Sequence, residues 1–242
     1  MRGFLIALQY LTIIPVKREE AVNKNILTKS GTFFPLVGLL LGAVLVIVNF
    51  ISSSLFPPLV AKVIVLVTLI ILTGALPLEG FVHTYESFFR RKGEGEPPEV
   101  MREDRLSARG IIALISLLLI KLALLYGLVA RVEVGALLLM PVIGRWAVVV
   151  MGTLTPYAGE EGREDFGKND YRSLLRASII TFIISLLLFR FFVIPLMLIV
   201  YLSVWALRRF SLKKIGGISG NVLGATVEVM EVVTLLLINL IK

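Results

Sequence analysis

The sequence predicts an all-α, polytopic integral membrane protein, a helical bundle that forms a single domain. Three observations lead to this prediction. Hydrophobic residues make up 57% of the 242 positions, against ~45–50% in a soluble domain. Charged residues make up only 17%, against ~25%. Several apolar runs have about the 20 residues that a helix needs to cross a bilayer. Together these features exclude a disordered chain, a collagen-like fibre and an ordinary soluble enzyme.

The N-terminal third predicts one short helix and two membrane spans. Met1–Val16 is mostly apolar but short for a span, so we interpret residues 1–16 as an interfacial or re-entrant helix, with a short span as the alternative. The segment has no A-x-A-like cleavage site, so we do not expect a cleaved signal peptide. Apolar runs predict spans near 33–56 and 59–78, and Pro57 and Pro58 form the turn between them.

The remainder of the chain predicts five further spans. Two lie near 110–130 and 134–154. Residues 177–207 would extend over ~46 Å as one helix, too long for one upright span. We therefore predict two short spans, 177–189 and 191–207, that turn near Arg190. The last span lies near 222–241. The prediction is about seven spans in all.

The basic residues predict the orientation of these spans. Of the 25 Lys and Arg residues, 18 lie in four polar segments that alternate along the chain: 17–32, 79–109, 155–176 and 208–221. The intervening loops and the C-terminus hold four: Lys62, Arg131, Arg190 and Lys242. By the positive-inside rule, the four basic segments face the cytoplasm of a cell-membrane protein. The net charge of +8 is therefore a topology signal, and we expect no nucleic-acid partner.

Few kinds of metal centre are open to this composition. The chain has no cysteine and a single histidine, His83. Disulfides, thiolate metal sites, a cysteine nucleophile and a multi-histidine centre are therefore excluded.

Three polar residues follow the second predicted span. Glu79, His83 and Glu86 are spaced i, i+4, i+7, so a helix would place them on one face. Two carboxylates and an imidazole at this spacing can hold a divalent cation. The alternative is the solvated end of an amphipathic helix. Farther on, Glu103 and Asp104 could complete such a site, and the Arg105 guanidinium could bind a phosphate, unless the three belong to an ordinary polar loop.

A glycine-rich segment opens the last predicted helix. Residues 216–224 read Gly-Gly-Ile-Ser-Gly-Asn-Val-Leu-Gly. Glycines let backbone N–H groups approach a phosphate, and a helix N-terminus attracts anions. No Gly-Lys-Ser/Thr follows, so the segment is not a Walker A loop.

Two acids lie inside the last predicted span. Glu228 and Glu231 share a helix face with Asn221 and Gly224. Ionisable residues within a span are costly and usually line a cavity or find a partner. Arg145 and Lys121, each inside another span, are the candidate partners. Lys121 could instead be a lone internal cation that faces water.

Six segments, taken in order, resemble the cobalamin-5′-phosphate synthase family (adenosylcobinamide-GDP ribazoletransferase), which is an integral membrane enzyme of late vitamin B12 assembly. The segments are Phe-Phe-Pro-Leu-Val-Gly-Leu-Leu-Leu-Gly at 33–42, Leu-Thr-Gly-Ala-Leu-Pro-Leu-Glu-Gly at 72–80, Met-Arg-Glu-Asp-Arg-Leu at 101–106, Gly-Arg-Trp at 144–146, Tyr-Ala-Gly-Glu-Glu-Gly at 157–162 and Gly-Gly-Ile-Ser-Gly-Asn-Val-Leu-Gly-Ala-Thr-Val-Glu at 216–228. The resemblance covers most of the chain.

The chain departs from the family pattern at its acidic positions. Five positions that carry Asp in the family motifs are Glu79, His83, Glu86, Glu103 and Asn221 here. Three of the five keep a carboxylate as Glu. A Glu side chain is one methylene longer, and a catalytic site needs positioning to about 0.5 Å. The replacements therefore leave open a repositioned metal, an altered substrate or lost activity.

The resemblance implies Mg²⁺-dependent phosphoryl transfer from adenosylcobinamide-GDP to α-ribazole or its 5′-phosphate, with release of GMP. The Mg²⁺ ligands that it implies are first Glu79, Glu86 and Glu103, and second His83, Asp104 and Asn221. The residues that it implies for phosphate or substrate binding are Arg105, Arg145, Gly216, Gly217, Ser219, Gly220 and Asn221. Glu228, or a free carboxylate of Glu79 or Glu86, would accept the hydroxyl proton.

Two other functions compete with this one. A degenerate relative could bind a corrinoid or organise a membrane complex without catalysis, as the replaced Asp residues suggest. A transporter is the third hypothesis, because four ionisable residues lie within spans, but no internal repeat supports it. The lower-ligand base and assembly into a homo-oligomer stay open.

Overall fold

The computed structural model describes residues 2–15, 29–89, 107–158 and 170–241. This part of the chain contains nine α-helices: α1 (Arg2–Leu11), α2 (Phe34–Leu55), α3 (Pro58–Leu72), α4 (Leu76–Phe89), α5 (Ala108–Tyr126), α6 (Ala130–Leu154), α7 (Tyr171–Phe189), α8 (Val193–Ile215) and α9 (Gly220–Asn239). Short 3₁₀ turns precede α2 at Gly31–Phe33 and α8 at Arg190–Phe192.

Several of these helices can cross a membrane. Five helical stretches of the described residues are long and apolar enough: Gly31–Leu55, Ala108–Tyr126, Ala130–Leu154, Tyr171–Ile215 and Gly220–Asn239. A sixth is obtained if α3 and α4 count as one bent span. The prediction of an all-α polytopic membrane protein is thus confirmed, whereas the number of seven spans stays a prediction.

Helix α6 forms the centre of the bundle. Its residues from Met140 to Thr153 are buried on every side, as expected of a helix that is apolar all round. It packs mainly against α2 and α9. Helix α5 exposes most of its side chains, which suits a helix that faces lipid. The core of the molecule therefore lies between α2, α6 and α9.

The second predicted span is interrupted. Helix α3 ends at Leu72, and α4 leaves it at an angle of 85°. Gly74 and Ala75 between them both have positive φ, 63° and 57°, a conformation that stops a right-handed helix. Pro77, in the first turn of α4, is suited to starting a new one. The predicted span 59–78 therefore ends earlier, and residues 76–78 belong to the helix that carries Glu79.

The chain reverses direction at Arg190. Near the start of α7, Ser178 accepts a hydrogen bond from Trp146 Nε1 at 3.0 Å. Near the end of α8, Arg208 Nε donates to the Leu154 carbonyl, also at 3.0 Å. Both contacts lie in the C-terminal part of α6, so α7 runs away from that end and α8 returns to it.

The N-terminal helix covers one end of the bundle. With ten residues, α1 measures ~15 Å, half the thickness of the hydrocarbon core. The Tyr10 ring stacks on Phe34 at the start of α2, with 6.0 Å between ring centroids. The Ile13 amide donates to the Leu72 carbonyl at the end of α3 at 3.0 Å. Helix α1 is therefore held against the turn between α3 and α4.

Candidate functional site

Helix α4 carries the three polar residues that the spacing places on one face. Glu79 Oε1 lies 3.8 Å from His83 Nε2, and both side chains are substantially exposed. One turn farther, Glu86 Oε1 accepts a hydrogen bond from the Ser107 amide at 2.7 Å. The structure thus brings Glu79 and His83 into contact, whereas Glu86 is engaged at the start of α5.

A complete metal site is not found in the part of the chain that the structure describes. No group of three or more acidic, histidine or cysteine side chains there is arranged to hold a metal ion. Glu103, Asp104 and Arg105 lie outside the described residues. The ligand set implied by the resemblance therefore stays a prediction.

The glycine-rich segment is held by backbone pairing. Gly216 ends α8 in the left-handed conformation, with φ at 75°. Ile218 donates to the Pro156 carbonyl and accepts from the Ala158 amide, each at 2.9 Å. A Cβ atom at Gly217 would lie 2.5 Å from the Pro156 oxygen, so only glycine fits there. The start of the 157–162 motif and the 216–219 loop therefore form one unit.

This unit presents the N-terminus of α9. The Ser219 hydroxyl caps the helix by accepting from the Val222 amide at 3.5 Å. Gly220 and Asn221 in the first turn are exposed. The first N–H groups of a helix have no partner within the helix, and together with the helix dipole they favour an anion. The first turn of α9 can therefore bind phosphate oxygens.

Helices α4 and α9 cross in backbone contact. A Cβ atom at Gly80 would lie 2.7 Å from the Asn221 carbonyl oxygen, and one at Gly224 would lie 3.2 Å from the Gly80 Cα. Small residues permit such close packing of helices within a membrane. The crossing places Glu79, which precedes Gly80, at the start of α9.

A cavity of about 260 Å³ lies at this crossing. It is bounded by α1, the turn between α3 and α4, α6 and the first two turns of α9. The residues that give it polar groups are Tyr10, Thr73, Glu79, Arg145, Gly220 and Asn221. Four of these six were candidates from the sequence. Tyr10 and Thr73 were not predicted as site residues, although Thr73 belongs to the Leu-Thr-Gly segment that resembles the family.

The other predicted site residues that the structure describes lie around the cavity rather than in its wall. His83 and Glu86 are farther along α4, and Gly216, Gly217 and Ser219 form the loop before α9. Glu228 is buried behind the wall, one turn beyond Gly224.

A buried cluster of four charges lies beneath this cavity. Lys121 Nζ donates to Glu228 Oε2 and to Glu231 Oε2, each at 2.6 Å. Arg145 Nη1 donates to the other oxygen of Glu231. Exposure is 1% for Lys121 and Arg145, 5% for Glu228 and 0% for Glu231. The expected partners are therefore paired, the alternative of a lone Lys121 is wrong, and the formal charge of the cluster is zero.

Arg145 connects the cluster to the cavity. It is the member of the cluster that lines the cavity wall. Its Nε atom is buried and has no hydrogen-bond partner among the described residues. A buried N–H without a partner costs about 1–3 kcal/mol, so a ligand oxygen that reached this donor would remove that cost.

Comparisons with known proteins give matches that extend over nearly the whole chain. The profile of the cobalamin-5-phosphate synthase family matches residues 3–239. The chain belongs to this family. A relative from Desulforamulus reducens, named adenosylcobinamide-GDP ribazoletransferase, is 35% identical over 97% of this chain and 95% of its own.

Further relatives of the same name agree. The protein from Acetivibrio thermocellus is 32% identical over 100% of this chain and 99% of its own. The protein from Clostridioides difficile is 28% identical over 100% and 98%. No solved structure matches the chain. The resemblance deduced from the six motifs is therefore confirmed at the level of the family, which is enzymatic.

Proposed function

We propose that this member of the cobalamin-5-phosphate synthase family transfers the adenosylcobinamide phosphate of adenosylcobinamide-GDP to α-ribazole or its 5′-phosphate, and releases GMP. Membership of the family and the shared name of the relatives support the reaction. The proposal for this chain depends on one structural observation, the cavity at the crossing of α4 and α9.

The cavity has the groups that a diphosphate requires. Arg145 in its wall offers an N–H without a partner, and the first turn of α9 offers backbone N–H groups. The cavity volume of about 260 Å³ is enough for a diphosphate and part of the groups attached to it. We propose that the diphosphate lies between Arg145 and the start of α9, with the bulky corrinoid outside.

The reaction is a displacement at phosphorus. A ribose hydroxyl oxygen of α-ribazole forms a bond to the phosphorus nearer the cobinamide, the bond from that phosphorus to the bridging oxygen breaks, and GMP leaves with the electron pair. Such transfers depend on positioning and charge neutralisation. The hydroxyl proton needs an acceptor within hydrogen-bond reach. Glu79 lines the cavity, whereas Glu228 is buried and bound to Lys121, so we propose Glu79 for this role.

The acids around the cavity also suit Mg²⁺. This ion is usually held by one or two carboxylates together with substrate phosphates, and Glu79 lies where a diphosphate would be. We propose Glu79 as a ligand, with Glu86, Glu103, His83, Asp104 and Asn221 as the further candidates. Bound Mg²⁺ would neutralise charge on the diphosphate.

The membrane orientation follows from the same proposal. The cavity lies at the end of the bundle where the predicted cytoplasmic segments begin and end, because α9 starts there and α6 ends near it. We propose that the protein resides in the cell membrane with this end in the cytoplasm, where nucleotide substrates are available.

The test is release of GMP by the purified protein in nanodiscs, with Mg²⁺, adenosylcobinamide-GDP and α-ribazole. We expect Glu79→Ala and Arg145→Met each to lower kcat/KM at least 100-fold. Glu133→Gln, which alters a partly buried ion pair with Lys62 far from the cavity, is the control for general damage. Wild-type turnover no higher than that of Glu79→Ala would refute the proposal.

A degenerate relative that binds a corrinoid without catalysis remains the second candidate. It is favoured because Glu79 and Asn221, two of the residues that stand in place of the family's Asp, lie in the cavity wall. Corrinoid binding by wild-type protein without GMP release would support that candidate and reject the transferase.

A further inference from the structure

Glu231 is the member of the buried cluster that bonds Arg145, the residue in the cavity wall. Glu231, on α9, accepts from Arg145 Nη1 with one oxygen and from Lys121 Nζ with the other. Its Cγ also lies against Gly144, where an added Cβ would approach to 3.0 Å. Glu231 is therefore fixed by bonds on both oxygens and by packing against α6.

Fixing one edge of a guanidinium fixes the other. The group is planar and its five N–H donors have set directions. With Nη1 on Glu231, the direction of the Nε–H bond is set as well, and Nε has no partner among the described residues. A long Arg side chain would otherwise lose rotamer entropy when it binds a ligand. The bond to Glu231 has already restricted that motion.

We propose that Glu231 is a positioning residue, which holds the Arg145 guanidinium so that Nε points at an oxyanion in the cavity, and that Lys121 holds Glu231 in turn. The ligand class is a diphosphate. This inference rests on the proposed function for the identity of the substrate, but the binding of a diphosphate can be measured without turnover.

Glu228 provides a matched control for Glu231. Both acids lie on α9, both are buried, and both accept from Lys121 at 2.6 Å. Glu231 alone of the two contacts Arg145. Replacing either by methionine removes one negative charge and one bond to Lys121. Any difference in diphosphate binding between the two variants therefore reports the contact with Arg145.

The experiment is equilibrium dialysis of radiolabelled inorganic pyrophosphate against the full-length protein in nanodiscs. We expect Glu231→Met to weaken binding at least tenfold, Glu228→Met to stay within about threefold of wild type, and Arg145→Met to abolish binding. Glu231→Gln keeps one acceptor oxygen for Nη1 but loses the charge and the second acceptor, so it should recover only part of the affinity lost in Glu231→Met and bind more weakly than wild type. Thermal unfolding of each variant identifies those that fail to fold.

Each outcome decides the inference. Equal losses in Glu231→Met and Glu228→Met would overturn it, because the effect would then follow from charge or stability. Wild-type protein that binds no pyrophosphate would overturn it as well. If Glu231→Met does not fold, Glu231→Gln against Glu228→Gln decides: a raised pyrophosphate Kd only in Glu231→Gln supports the inference, and equal Kd values reject it. Pyrophosphate binding with the expected order but no GMP release would reject the proposed reaction and retain the role of Glu231.

Discussion

Replacing Lys121 by methionine should destabilise the protein strongly, because it removes the cation that two buried carboxylates share. Lys121 Nζ lies 2.6 Å from an oxygen of Glu228 and from an oxygen of Glu231. Methionine has a similar length, so the loss of charge dominates the loss of volume. The formal charge of the cluster changes from zero to −1 in a buried site.

The magnitude follows from the cost of an uncompensated buried charge. Removing one partner of a buried ion pair costs about 3–5 kcal/mol. In the double variant Lys121→Met/Glu228→Met, the pair of Glu231 and Arg145 remains and the cluster is neutral again. Because a neutral apolar replacement is often harmless, the second substitution should recover most of the loss.

The assay is equilibrium unfolding in mixed micelles with increasing SDS, followed by circular dichroism. Lys62→Met is the control, since Lys62 also bonds a buried Asn49 and pairs with Glu133, whose side chain is 22% exposed. Water can solvate Glu133, so we expect a smaller loss of about 1–3 kcal/mol. A loss below about 1 kcal/mol in Lys121→Met, the value of exposed pairs, or no recovery in the double variant, would refute the reasoning.

Two further predictions concern local structure. Gly224→Val should push α4 away from α9, because the valine Cβ would lie 3.2 Å from the Gly80 Cα. We expect this variant to lose pyrophosphate binding in equilibrium dialysis. Binding equal to wild type would contradict the close contact of the two helices. Burial raises the pKa of Asp170, but hydrogen bonds from Ser173 and from the Arg172 amide outweigh it, so this pKa is below its ordinary value. Asp170 therefore stabilises the start of α7 above the ordinary carboxyl pKa, and the contribution disappears as the pH falls through the lowered value. In SDS unfolding, Asp170→Ala should cost about 1 kcal/mol at pH 7 and nothing once Asp170 is protonated; a cost that is independent of pH would argue against the cap.

Much of the fold can be predicted from the length of the apolar runs. A membrane helix must satisfy its backbone hydrogen bonds internally and be long enough to cross the bilayer. The runs near 33–56 and 134–154 correspond closely to α2 and α6. The pairing of the internal acids could also be anticipated, since a charge within a span needs a partner and few candidates exist. Arg145 and Lys121 are those partners.

The cavity could not be anticipated from the sequence, because it depends on the turn between α3 and α4. No charged residue between positions 63 and 78 marks the break, and Ala75 takes a positive φ that an alanine adopts only when its surroundings impose it. The place of Tyr10 in the wall depends on how α1 packs on that turn. The burial of Glu228 behind Gly224 depends on the packing of three helices, so it could not be deduced from the sequence. This is why Glu228 was a candidate proton acceptor at that stage.

The most direct test of the account is a cryo-EM structure of the protein with adenosylcobinamide-GDP and Mg²⁺. The account predicts density for the diphosphate in the cavity, with an oxygen within hydrogen-bond distance of Arg145 Nε and another at the first turn of α9, beside Glu79. A diphosphate bound elsewhere, with Arg145 contacting Glu231 alone, would contradict it.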